Sequence, residues 1–239
     1  MSLFHSDAFL AFRSRDFSLL SVNQLCLILT IMIQEVVIAY SIYQLTQNPL
    51  SLGMIALIEL LPFICLSLIS GDWADRYNRQ KIVQWSFSCS TLIPLLFIVL
   101  FSQYQQQHIQ QNTLLCGIYS LIFCLGILRG IYSPSFNSLR PFLTPESAYS
   151  NAATWTALIW QIGGILAPLC AGLLLGQLGL EKTLFIVFFL CCVGSICLFG
   201  LSPRQFPSPH KQHLSKSLKE AYLFIFKHPL MFWSMLLDL

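Results

Sequence analysis

The chain has 239 residues, 56% hydrophobic and only 10% charged, with a formal net charge of +3 and a mean hydropathy of +0.69. Soluble domains carry roughly 25% charged residues, so the composition excludes an ordinary soluble domain and points to an all-α integral membrane protein. Transmembrane barrels alternate polarity over segments of about 10 residues, which the long continuous apolar runs exclude, and no basic, aromatic-interleaved cluster is present to hold nucleic acid.

A membrane-spanning helix needs about 20 apolar residues, and six runs meet that length. Residues 1–16 form a polar tail holding Asp7, Arg13, Arg15 and Asp16. The apolar run behind it is too long for a signal peptide, so the first helix is expected to insert as its own uncleaved signal. That helix is expected at about 17–45 and contains Glu35; Asn48-Pro49 then breaks the chain. The second, about 51–70, contains Glu59 and Pro62. The third spans about 82–101 and leads into a glutamine-rich loop at 103–111. The fourth, about 113–133, holds Arg129 near its end, and residues 134–150, with Pro141 and Pro145, are expected to be a connection. Helices five and six are expected at about 152–178 and 183–201. Residues 202–228 are basic and proline-rich, with an amphipathic surface helix over 214–226. A seventh apolar run starts at 229 and reaches 239, half the length of a span.

Six crossings divide the lysines and arginines between two sides. One side takes Arg13, Arg15, Arg76, Arg79, Lys81, Arg129, Arg140, Arg204, Lys211, Lys216, Lys219 and Lys227; the other has Lys182. Twelve against one places the N-terminus in the cytoplasm, and the inner membrane of a bacterium is the expected site. The nine cysteines all lie inside apolar runs without a CxxC pair, where they read as small packing residues. No His-x-x-His pair, Ser-His-Asp set or Asp-rich metal motif faces a common cavity, His210 and His213 lying in the basic linker, and no Gly-rich phosphate loop is present, so neither an enzyme nor a cofactor is expected.

Between the second and third runs stands Gly71-Asp72-Trp73-Ala74-Asp75-Arg76-Tyr77-Asn78-Arg79-Gln80-Lys81, five charges in a short polar connection. Asp75 could accept bonds from helix-terminal N–H groups, and Asn78 suits the left-handed φ of a tight reversal. In helix five, Gly163, Ala167 and Ala171 recur every fourth residue, a small-residue stripe that lets helices approach, while Pro168 permits a bend. A charge at mid-bilayer costs about 2.5–3.5 kcal/mol on insertion scales, so Glu35 and Glu59 are expected to face the bundle interior. Each reads either as a proton-coupling or cation-substrate group or as a protonated glutamate bonded to a neighbouring helix. Arg129 either snorkels to headgroups or belongs to a charge network.

The pattern Gly71-x-x-x-Asp75-Arg76-x-x-Arg79-Gln80-Lys81 resembles the signature loop of the major facilitator superfamily of secondary transporters. Gly163-Gly164-Ile165-Leu166-Ala167-Pro168-Leu169-Cys170-Ala171-Gly172 is similar to that family's exporter motif, with Ala167 and Ala171 where glycines are usual. Arg129-Gly130-x-x-x-Pro134, Pro145-Glu146 and the stretch before residue 230 resemble the drug, macrolide and siderophore efflux branch. The resemblance implies a six-helix N-terminal bundle of such a transporter plus the start of a seventh helix. It implies a cytoplasmic gate at Gly71, Asp75, Arg76, Arg79 and Lys81, joined by Arg129 from helix four. It also implies lipid, protons and a small amphipathic substrate as partners, the substrate moving outward by alternating access. A half-length chain would be inactive alone, or would work as a homodimer or with a separately encoded half.

Overall fold

The computed structural model describes residues 9–203, apart from the side chains of Leu68, Asp72, Ala74, Asp75 and Arg76. The expected basic linker and seventh run therefore lie outside the described residues. Within them the chain is helical, with α1 over Arg15–Thr46, α2 over Pro49–Arg76, α3 over Arg79–Ser90, α4 over Leu92–Gln105, α5 over Gln111–Leu143 and α6 over Tyr149–Phe199. Short 3-10 turns, Ala11–Arg13 and Glu146–Ala148, precede α1 and α6. Five helical stretches are long and apolar enough to cross a membrane, α3 and α4 counting as one.

The fifth stretch crosses twice. Gly163 of α6 lies against Ile28 of α1, and Cys191, 28 residues further on, bonds to Thr30 of the same helix. A straight helix would carry those residues about 42 Å apart, so the chain reverses between them. The reversal is at Gly179, whose φ of 78° and ψ of 177° leave helical space, in a region only glycine enters readily. The expected link at 179–182 is thus one residue, with helix on both sides.

Three other boundaries move, each for a local reason. Helix α2 continues through Gly71 to Arg76, so the charged connection shrinks to Tyr77 and Asn78. Asn78 does not take a left-handed φ; at −66° it caps α3, its side chain accepting from the Lys81 N–H at 3.3 Å. Pro94 removes the N–H that would reach Ser90, and the third span is divided there into α3 and α4. Residues 134–143, expected to be a connection, instead extend α5 by ten residues. Pro134 cannot donate to the Gly130 carbonyl four residues back, and the Ser70 hydroxyl of α2 donates to that carbonyl instead at 2.7 Å. In a membrane a proline is tolerated where a neighbouring hydroxyl re-satisfies the freed group.

Helix α1 packs chiefly on both limbs of α6, and α2 packs on α5. Small residues set both approaches. A Cβ on Gly126 would stand 2.4 Å from the Glu59 carbonyl oxygen, and one on Gly130 3.0 Å from that of Phe63. Gly163, Ala167 and Ala171 are buried, whereas Pro168 and Gly172 are exposed, so the α6 motif divides between a packed and an open face. Ile33, Val37, Phe97, Ile118 and Leu184 belong to one buried cluster. A second, at the end carrying the N-terminus, includes Leu20, Phe87, Tyr132 and Leu198. Lipid tails are as apolar as these side chains, so close packing and interhelical bonds hold the bundle.

Candidate functional site: an open cleft with two arginines

Helices α1, α2, α5 and the first limb of α6 enclose an open cleft of about 1080 Å³. Its wall on α5 follows from helical periodicity: Arg129, Tyr132, Phe136 and Arg140 are spaced by three or four residues and share a face. That face exists because α5 survives Pro134. Leu27, Ile31, Phe63 and Trp160 make much of the remaining lining apolar.

Arg129 stands 14 residues before the end of α5, about 21 Å from it. Its Nη1 donates to Glu35 Oε1 at 3.0 Å and also to Glu59 Oε1. Side-chain exposure is 43% for Glu35 but 14% for Glu59, so Glu35 faces the cleft and Glu59 sits behind it. Helix direction helps Arg129 and Glu35 meet. Cβ atoms lean toward a helix N-terminus, and antiparallel α1 and α5 tilt these two toward each other. The expectation that joined Arg129 to the gate gives way here. The neighbouring Gly130 lies against Phe63 and Leu66, and Asp75 is about 14 Å further along α2. The sequence separately places Glu35, Glu59 and Arg129; that they share one cation comes only from the fold.

Arg140 occupies the other end of the same face. Its Nη2 donates to Gln24 Oε1 at 3.3 Å, and its guanidinium carbon lies 5.1 Å from the centre of the Phe136 ring. Its Nε is buried without an acceptor. Gln24 is held in turn by α6, its Nε2 donating to the Thr156 carbonyl at 3.1 Å. Deeper in the wall, Tyr132 donates to Asn23 Oδ1 at 2.8 Å, and Asn23 Nδ2 donates to the Gly194 carbonyl at 3.1 Å. Sequence reasoning passed over Gln24, Asn23, Tyr132 and Arg140. For Tyr132 and Arg140 the signal was the three-and-four spacing on α5, cut short by ending that helix at residue 133; Asn23 and Gln24, on α1, carried no such signal.

In the charged connection, Arg79 opens α3 with its guanidinium carbon 5.2 Å from the Phe142 ring centre, linking α3 to the end of α5. Lys81 is exposed, and Gly71 is a helical residue with open space at its Cβ position. Among the described residues no group of three or more His, Cys, Asp or Glu could hold a metal ion.

Residues 20–238 match the sequence profile of the Major Facilitator Superfamily. The chain belongs to that family. It is 24% identical over 208 residues to the uncharacterized MFS-type transporter YfiS of Bacillus subtilis, a match covering 84% of this chain and 46% of that protein. It is 28% identical over 133 residues to the multi-drug resistance efflux pump PmrA of Streptococcus pneumoniae, covering 56% of this chain and 30% of the pump. The fold superposes on the crystal structure of the POT family transporter PepTSo with a TM-score of 0.67 at 15% identity, over 83% of this chain and 40% of that one. The chain therefore spans about half the length of the curated relatives it matches. A family member with this many apolar helices is a multi-pass membrane protein, and the resemblance drawn from residues 71–81 holds at the level of the family.

Proposed function

We propose that the chain is the N-terminal half of a proton-coupled efflux carrier that moves a small amphipathic molecule by alternating access. The observation that carries the reading is one arginine shared by two carboxylates in the wall of an open cleft. A single guanidinium balances a single carboxylate. With both acids ionised the group is one negative charge out of balance, and an uncompensated charge in a low-dielectric setting costs several kcal/mol. Taking up one proton restores neutrality. Glu35, which lines the cleft, is the first coupling residue, and the more covered Glu59 is the second.

Export as the direction rests on the named activity of the pneumococcal relative. Removing Arg129 from the loop charges still leaves eleven lysines and arginines against one, which favours a cytoplasmic N-terminus in a bacterial inner membrane. Gly71, Asp75, Arg76, Arg79 and Lys81 then form the cytoplasmic gate. Export of a fluorescent amphipathic dye from vesicles with a pH-sensitive dye inside tests the coupling. Glu35→Gln is expected to abolish the proton flux that accompanies export and Glu59→Gln to weaken it; full coupled export by Glu35→Gln removes the assignment.

A second reading has its own support. The chain covers about half the length of its relatives, and the described cleft has walls from these helices. On that reading the chain is inactive by itself, or works with a second half or a second copy. Export by vesicles containing only this chain as a monomer would exclude it.

A further inference from the structure

Among the described residues two cations line the cleft, and they are provided for differently. Arg129 has two carboxylate partners. Arg140 has a neutral amide oxygen and a ring face. A guanidinium carries five N–H donors and no acceptor, and Arg140 commits one of them, at 3.3 Å, while its Nε is buried with no acceptor. A partly buried charge without an opposite charge is expensive unless something arrives to pair with it. Polar groups surround this end of the cleft: Gln24, Asn137, Thr144 and Tyr149 line it beside Arg140. Apolar groups follow toward the middle, with Phe136, Leu27, Ile31 and Trp160 between the two arginines or facing them. At 11 residues along one helix, Arg140 and Arg129 stand about 16 Å apart, the length of a drug-sized molecule rather than of an inorganic ion.

We propose that Arg140 is an anion-binding group of this cleft, and that the cleft takes an amphipathic carboxylate. The acid accepts from the uncommitted Nη N–H groups of Arg140, and the apolar body lies over Phe136 toward Trp160. This rests on the cleft being the substrate site and names its substrate class. It adds a group that proton coupling at Glu35 does not use. Gln24, tied to Thr156 on α6, holds the guanidinium in place as a positioning residue.

The test uses the full chain in nanodiscs of phosphatidylcholine, with 2-naphthoate as the probe and equilibrium dialysis as the readout. Its neutral analogue 2-naphthalenemethanol and its cationic analogue 2-naphthylmethylamine run in parallel. Naphthoate is expected to bind the unaltered chain most tightly, and Arg140→Gln to weaken it at least about tenfold, the worth of one charge-assisted hydrogen bond. Arg140→Lys should recover part of that loss. Binding of the neutral analogue should stay constant across all three, which reports an intact cleft. Equal naphthoate affinity in Arg140→Gln and the unaltered chain overturns the proposal. So does a preference for the amine. A third overturning result is loss of the Arg140-dependent binding when phosphatidylglycerol replaces phosphatidylcholine, because a lipid headgroup is then the anion. Naphthoate binding needs neither transport nor Glu35→Gln. A failed coupling experiment beside Arg140-dependent binding therefore leaves the anion site standing, and the reverse holds equally.

Discussion

Arg129 and Arg140 lie on one face of one helix, three turns apart, yet their surroundings differ in kind. Arg129 is over-provided with negative charge, and its two partners come from α1 and α2. Among the described residues Arg140 meets a neutral amide from α1, itself tied to α6, and a ring of α5. The first arrangement is self-contained and holds three helices together. The second leaves a charge facing open space. The difference teaches that a buried-looking arginine in a membrane bundle serves cohesion in one place and reception in another, and its partners decide which.

The comparison breaks most visibly at Arg129. Arg129→Leu leaves two adjacent carboxylates without a cation, and loss of one member of a buried ion pair costs about 3–5 kcal/mol. Thermal unfolding of the purified chain in detergent should show a large fall, and adding Glu35→Gln with Glu59→Gln should restore much of it. A smaller fall, about 1–3 kcal/mol from overpacking, is expected for Gly126→Val. Its Cβ would meet the Glu59 backbone and Pro62, pushing α2 and its carboxylate away from Arg129. Ser70→Ala removes the donor to the Gly130 carbonyl and should cost about 0.6 kcal/mol, the average for an interhelical bond in a membrane protein. Arg140→Gln removes a partly buried charge that has no opposite charge and should leave the chain at least as stable as before, sharpening the contrast: the loss it causes belongs to ligand binding. A fall at Arg140 as large as at Arg129 would erase the distinction.

Much of this fold is legible in the sequence because a bilayer imposes length and polarity rules that a soluble core does not. Apolar runs mark the spans, and residues 71–81 mark the lineage. What stayed hidden follows from proline. Pro134 reads as the end of a helix because it removes a backbone donor, and only the fold reveals that Ser70, sixty residues away, supplies a replacement. Ending α5 there also hid the face that carries Phe136 and Arg140. Gly126-x-x-x-Gly130 was readable as a close-packing pair, and Arg129 lies within it, next to Gly130. The shared use of Arg129 by Glu35 and Glu59 was not readable, since each acid is single in its own run and no spacing links them.

The hydroxyl bond from Ser70 to Gly130 has a mechanical meaning. Together with the glycine contacts at 126 and 130, it fastens α2 to α5 at successive levels. Glu59 and Arg129 ride on that fastened pair, whereas Glu35 rides on α1, which is packed into the α6 hairpin. The three-way charge contact thus straddles a seam between two stiff pieces. Among the described residues Arg129 is therefore a cation with partners on both sides of that seam, Glu59 within its own pair of helices and Glu35 across from it.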